Sequence, residues 1–515
     1  MPHKRLYAPP PKGHGPDRLA AAMDPASFEE PQAARPLTEA EAAWLRARLH
    51  GRLILPGEEG YAENSRVFNK RYRPRPDAIV NAADEADVAV CLAFVREADM
   101  AFRVRGGGHN FAGYSGGPGM VIDLTLLDTI TLDPQAATVT VGGGCPQGRL
   151  GDLLAQSGFH LPLGDWPSVG VGGYMQGGGY GLTSRSFGMN LDHVRSLRVM
   201  LADGRIVTAT ERENHDLWWA VRGGTGNMFG VVLSIQYGLR RISNLAEASL
   251  VWGLRTGAER AQAARVLLTL QRGYMRGDEV PHTNISCMAM FGLNDDDPAY
   301  RGPWLIVDVD HVGSEAQMQA AIAPLLALPG QVPDFDFDRL GRGTEIPPLS
   351  RHSRYVTRDL APADWDGLLE FYATTPSTLN TLYIQAAGGP LNAIPRESAA
   401  FIHRSAAFLT FLDVFWHDGA EKEAALDYQA RWGALMEPFW NGRCYQNFPD
   451  PTLVDYRAAY WGEAFPALLA VKQKYDPHAV FRFQQMLEPR PGDPDEPPVW
   501  PPRVVESLRR PIAVA

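Results

Sequence analysis

The stretch Arg103-Val104-Arg105-Gly106-Gly107-Gly108-His109-Asn110 follows an apolar segment that reads as a strand, and its three consecutive glycines carry no Cβ. Successive backbone N–H groups in such a run can converge into a concave nest for an anion, and a diphosphate is a natural occupant. A second stretch, Val169-Gly170-Val171-Gly172-Gly173-Tyr174-Met175-Gln176-Gly177-Gly178-Gly179-Tyr180-Gly181, holds a G-x-G-G element followed by G-G-G-x-G. One glycine triplet is as well explained by a tight turn, whereas two such loops sixty residues apart are a far stronger signal. The G-x-G-x-x-G of a dinucleotide fold, with an acid about twenty residues on, is in neither loop. His109 directly follows the first nest. A loop histidine is most often merely hydrogen-bonded, but a bulky residue at this point is placed to touch the bound group.

Working outward, 21 of the 51 glycines fall between Gly106 and Gly181, so close backbone approach is concentrated in one part of the 515-residue chain. Hydrophobic residues at 45% and charged residues at 21% describe a folded globular protein and exclude a mainly disordered or membrane-embedded one. The 49 basic against 59 acidic residues give a charge of −10, which offers no basic stripe for nucleic acid. Four scattered cysteines, Cys91, Cys145, Cys287 and Cys444, fit neither a disulfide framework nor a Cys-rich metal site, and no metal is expected. The first thirty residues lack an apolar signal core, and no window approaches the ~18 apolar residues of a membrane span, so the expected location is the cytoplasm.

Residues 77–109 read as a β-α-β-like start, with a helix opened by Asp84 and carrying Val88, Cys91, Leu92 and Val95, then a strand over 101–104. Strands follow at 120–124 and 138–141, and a helix at 148–156. The run 194–210 reads as two strands joined at Asp203-Gly204, a dipeptide that favours the positive φ of a hairpin turn. Beyond about 245 the texture changes to amphipathic helices (257–275, 314–328, 363–374 and 420–438) interleaved with strands such as 304–309, 382–386 and 408–415. An antiparallel sheet with helices on one face is predicted there. The overall class is α+β.

At this point the sequence resembles the FAD-linked oxidoreductases of the vanillyl-alcohol oxidase superfamily, specifically the berberine bridge enzyme-like branch, over roughly 60–490. The carriers are R-x-R-G-G-G-H-N at 103–110, P-S-V-G-V-G-G at 167–173 with G-G-G-Y-G at 177–181, A-V-R-G-G-T-G-N-M-F-G-V-V at 220–232, and the closing Y-W-G-E-A-F to F-R-F-Q-Q at 460–485. The resemblance implies a two-subdomain FAD-binding domain of the PCMH type plus the antiparallel substrate domain. It divides the chain into a Pro-rich arm at 1–36, an FAD-binding domain at 37–240, a substrate-binding domain at 241–435, a C-terminal segment at 436–490 returning to the FAD domain, and a Pro-rich tail at 491–515.

The resemblance also implies site residues. His109 matches the histidine that family members bond covalently to the flavin, and Arg105, Gly106, Gly107, Gly108, Asn110 and Ser115 would cradle the cofactor with it. Val169, Gly170, Gly173, Gly177, Gly178, Gly179, Gly181 and Leu182 would flank it, with Val232, Asn447 and Gln485 nearby. Many members carry a second link from a cysteine where this chain has Trp166, so a cysteine link is not expected, and Cys145, in another loop, reads as a buried thiol. Val169 resembles the small gatekeeper of oxidase members, which favours oxidase over dehydrogenase.

A second departure concerns the catalytic base. The family's Y-x-N-Y element reads Tyr445-Gln446-Asn447-Phe448 here, and Phe448 cannot accept a proton. Tyr445, Tyr383, Gln385, His403 or a water is expected to take that role, unless no strong base is needed. Tyr445 is equally well a structural aromatic, and His403 reads more readily as packing with Arg404. The implied activity is hydride transfer from a C–H bond of a small organic substrate, a natural product before a sugar, to FAD, with O2 as acceptor and H2O2 as product. A sugar or oligosaccharide oxidase, a dehydrogenase with another acceptor and a silent flavin-binding module stay open. A monomer or homodimer without membrane or nucleic-acid partners is expected.

Overall fold

The computed structural model describes residues 35–275, 285–294, 300–333 and 346–488. Nearly all of the Pro-rich arm and the whole of the Pro-rich tail read from sequence lie outside the described residues. No helix among the described residues is long and apolar enough to cross a membrane.

The first sheet has the order β1 (Arg52–Ile54), β2 (Ala78–Asn81), β4 (Met120–Asp123) and β3 (Phe102–Arg105). Both β2 and β3 pair parallel to β4. The crossover between β2 and β3 is the helix Glu85–Glu97, whose N-cap Asp84 accepts from the Asp87 N–H and which buries Val88, Cys91, Leu92 and Val95 against the sheet. The second sheet is antiparallel: β5 (Ile130–Asp133), β6 (Thr138–Gly142), β10 (Val231–Gly238), β8 (Val194–Met200) and β9 (Ile206–Thr210) in that order. The two-residue strands β7 (Phe159–His160) and β11 (Arg240–Arg241) pair beside it. The Asp203-Gly204 hairpin is present, with Gly204 at φ +86° donating its N–H to the Leu201 carbonyl.

The third sheet has six antiparallel strands in the order β12 (Leu245–Gly253), β14 (Gly302–Val312), β13 (Ile285–Asn294), β16 (Thr381–Ala386), β17 (Phe408–Phe415) and β15 (Leu349–Val356). The helices Gly257–Leu270, Pro362–Tyr372 and Gly419–Met436 pack on one face, where Trp365, Tyr428 and Trp432 meet Leu382, Ile384, Phe408 and Leu412. Because side chains alternate along a strand, the residues between these, including Tyr383, Gln385 and Phe411, point to the other face. The class is therefore α+β, with helices on one side of the antiparallel sheet.

Two helices differ from the sequence reading. The stretch 314–328 divides into Glu315–Ala321 and Ala323–Leu326, because Pro324 has no N–H with which to continue the first helix. The stretch 257–275 is α-helical only to Leu270 and ends in a wider π turn at Gln271–Met275. After the third sheet the chain packs on the core of the second sheet. The helix Phe465–Tyr475 buries Leu468 and Val471 against the helix His215–Gly224, and Lys472 Nζ donates to the Met228 and Phe481 carbonyls and pairs with Asp476.

Candidate functional site

One cavity runs between the two glycine loops and the open face of the six-stranded sheet. Its floor is set where the loops touch. A Cβ on Gly107 would sit 2.3 Å from the Gly170 nitrogen, and one on Gly170 would sit 2.5 Å from the Gly107 nitrogen, so bare backbone is required on both sides. Gly108 completes the turn with φ +71°. His109 then projects beside this junction, stacked on Phe68 at 4.3 Å, with Nε2 2.9 Å from Ser168 Oγ. Burial pushes its pKa down to about 4, so the ring is neutral near pH 7.

The cavity is lined by Gly106, Gly107, Gly108, His109, Asn110, Ser115, Val169, Gly170, Gly173, Leu182, Val232, Asn447 and Gln485 from the sequence reading, together with Tyr383, Gln385 and Tyr445. Five expected cofactor contacts are not on its wall. Arg105 turns away from the cavity: its guanidinium pairs with Asp123 and donates to the Asn64 and Arg66 carbonyls, so it props up the loop from behind. Gly177, Gly178, Gly179 and Gly181 serve packing, because Cβ atoms there would strike Asn447, Phe401, Asn190 and the Leu163 backbone. His403 packs, as its preferred reading has it, and is not available as a base at the cavity. It is buried away from the cavity, stacked on Tyr355 at 4.3 Å, with Nε2 3.2 Å from Gln446 Oε1.

Tyr445 reaches the cavity wall but is fastened there. Its hydroxyl accepts from the Gly179 and Tyr180 N–H groups at 3.0 and 2.9 Å and from Asn447 Nδ2 at 3.1 Å. Burial raises its pKa to about 12 against the pull of these donors, so it is a phenol, not a base, at neutral pH. Tyr445→Phe strands two buried N–H groups and should cost ~1–3 kcal/mol, read as a lower melting temperature with an unshifted pH–rate profile.

The sheet face supplies the opposite wall. Tyr383 stacks on Phe411 at 4.4 Å, and the register places Gln385 beside Met288. Arg351, hidden in the polar run of β15, lies over the rings of Phe111, Phe411 and Phe448 at 4.0–4.6 Å and forms a bidentate pair with Asp413. Phe448, in the place of the family's tyrosine, therefore packs on a guanidinium. Trp166 is 43% exposed and meets Phe68 edge-on at 5.4 Å. All four cysteines are buried and none lines the cavity. Burial pushes Cys145 up to about 11.

The residues present fit FAD. The Tyr174 hydroxyl and Ser115 Oγ line the cavity, are buried and have no hydrogen-bond partner among the described residues, so both are open to a polar ligand. A Cβ on Gly173 would meet nothing within 4 Å, which leaves that wall free for a flat group.

Comparison with known proteins agrees. A family model described as FAD binding domain matches residues 76–210, and one described as berberine and berberine like matches 444–488. The FAD-linked oxidoreductase YvdP of Bacillus subtilis is 28% identical over 462 residues, covering 86% of this chain and 99% of its own length. A chitooligosaccharide oxidase of Gibberella zeae is 26% identical, covering 84% of this chain and 92% of its own. The solved structure of wild-type Physcomitrella patens BBE-like 1 superposes with a TM-score of 0.76 at 22% identity, over 87% of this chain and 99% of that one. With the glycine-loop cradle at one end and the closing segment folded back onto it, the chain is a berberine bridge enzyme-like FAD-linked oxidoreductase.

Proposed function

We propose that the protein is an FAD-dependent oxidase whose flavin is bonded to His109 alone. The observation that carries this reading is the His109 ring: neutral, oriented by Phe68 and Ser168, and set on the cavity wall where the two glycine loops meet. A neutral imidazole keeps the lone pair that a bond to carbon requires. Trp166 occupies the position from which a second link would come. Bound FAD would accept a hydride from a substrate C–H bond and hand the electron pair to O2, giving H2O2.

The chain's own residues do the holding. The Gly106–Gly108 backbone, Ser115 and Tyr174 would fix the cofactor, while Val169 keeps the wall low beside it. Tyr383, Phe411, Phe111 and Phe448 give the substrate an aromatic wall, and Gln385 gives it an amide to orient against. Such a wall suits a planar or apolar natural product. The chitooligosaccharide oxidase relative supports a second reading, oxidation of an oligosaccharide hydroxyl.

Mass spectrometry of the denatured protein beside His109→Ala tests the attachment. An FAD-sized adduct is expected in the unsubstituted chain and absent from the variant. An adduct that survives the substitution, or flavin released entirely on denaturation, would overturn the linkage. Peroxide yield under aerobic turnover separates oxidase from dehydrogenase.

A further inference from the structure

We infer that Asp165 is the proton acceptor of the oxidation, and hence that the substrate loses its proton from an O–H group; the inference rests on the oxidase reading above. Asp165 is the only carboxylate among the described residues that line the cavity. It precedes Trp166 on the loop that faces the sheet, stays within reach of solvent at the edge of the cavity, and no described residue hydrogen-bonds it. Three of the other wall groups are taken or unable. Phe448 has no basic atom, the Tyr445 oxygen is held by three N–H donors, and the Gln385 amide is not a base. The cation on that wall, Arg351, is already neutralised bidentately by Asp413 and leaves Asp165 unpaired.

The surroundings set Asp165 for proton transfer near neutrality. The charged groups that act on it are Asp308 and Arg351, and Asp310 of β14 is coupled to it in turn, with Glu247 of β12 beside Asp310. Asp308 sits opposite Met288, which sits opposite Gln385, so the acidic pair shares the row of the sheet that faces the cavity. Enclosure by protein comes first, the Asp308 charge second, and together they lift Asp165 to about 6 against the opposing pull of Arg351. A base with that value is ionised at pH 7 and still able to release its proton.

The step balances. The substrate O–H bond breaks and its proton moves to a carboxylate oxygen of Asp165. The O–H electron pair becomes the second C–O bond, and the C–H pair leaves as hydride to the flavin, so the carbinol is oxidised to a carbonyl by two electrons and the flavin is reduced by two. Asp165 then returns the proton to solvent through its exposed side.

The test compares wild-type and Asp165→Asn holoenzyme. Glucose, N,N′-diacetylchitobiose and 4-hydroxybenzyl alcohol are each mixed anaerobically with both proteins, and flavin bleaching is followed from pH 5 to 9. With the fastest donor, the wild-type rate should rise through an ionisation near pH 6, whereas the variant should be slower by about 100-fold or more at pH 8 and lack that rise. Melting temperature gives a readout independent of turnover. A raised carboxylate holds its proton in the folded state between its ordinary value and about 6, so stability falls as pH rises across that window. The variant should therefore melt higher than wild type at pH 7.5 and level with it at pH 4. Equal bleaching rates and profiles, or a melting difference that ignores pH, would overturn the role of Asp165 and leave the oxidase reading standing. Failure of all three donors to bleach the wild type would overturn the oxidase reading itself.

Discussion

Gly107→Val should abolish flavin retention and destabilise the fold in the same stroke. The new Cβ would lie 2.3 Å from the Gly170 nitrogen, 2.7 Å from the Ser168 carbonyl oxygen and 3.1 Å from the Gly170 Cα. All three are backbone atoms, so no side chain can swing aside, and the loops must part. Parting them also breaks the His109 Nε2 to Ser168 Oγ contact, which spans the same junction. Overpacking costs ~1–3 kcal/mol where side chains can adjust, and this site belongs at or above the top of that range. The expected result is protein without yellow colour after purification and a melting temperature lower by roughly 6–10 °C, at ~2–4 °C per kcal/mol. Gly173→Ala is the contrast. Its methyl meets nothing within 4 Å and it lies inside the helix Val171–Gln176, so the apoprotein should melt as wild type does. A Gly107→Val protein that binds flavin and melts normally would show that the two loops do not meet as described.

The same geometry explains what could be read from the sequence. The Gly106–Gly108 nest was legible because bare backbone next to a strand end is a local property, visible without knowing what lies opposite. The G-G-G-Y-G run looked alike on paper and does something different. Its glycines are required by Asn447, Phe401, Asn190 and Leu163, two of them more than 200 residues away in the chain, and no local pattern reveals such partners. Arg105 departs from its reading for a related reason, and His403 keeps the packing role that its reading preferred. A residue type announces its chemistry, but only tertiary packing decides whether Tyr355 or Asp123 consumes it first.

The helical face of the third sheet was legible through periodicity, whereas β15 was not. Its sequence, Leu-Ser-Arg-His-Ser-Arg-Tyr-Val, lacks the apolar alternation of a half-buried strand, because Arg351 is neutralised by Asp413, and His352 and Arg354 face Asp450. Arg351, a principal wall residue, was thereby missed. Asp165 stood in plain view beside the quoted P-S-V-G-V-G-G motif, and a lone carboxylate one residue before an aromatic gave no reason to single it out.

Removing the carboxylate of Asp123 should be at least as damaging to stability as crowding Gly107, through charge. Arg105 and Asp123 are 5% and 2% exposed, and their pair ties the end of β3 to the end of β4 directly beneath the nest. Asp123 also accepts from the Thr125 N–H at 2.8 Å, which fixes the loop that follows β4. With Asp123→Ala, the guanidinium keeps only the Asn64 and Arg66 carbonyls and stays buried without a counter-charge. Breaking a buried pair from one side costs ~3–5 kcal/mol, because the surviving charge has lost its water and its partner. A fall in melting temperature on the order of 10 °C is expected, with weaker flavin retention because Gly106 is the next residue after Arg105. The double variant Arg105→Met, Asp123→Val removes both charges with little change in total volume and should recover most of that loss, since a well-packed apolar pair often matches a buried ion pair. If the double variant is as unstable as the single one, the Arg105 carbonyl contacts and the Thr125 turn hold the loop, and the charge pair is incidental. If it recovers stability but not flavin, the pair sets the loop's geometry for the cofactor and not the strength of the sheet beneath it.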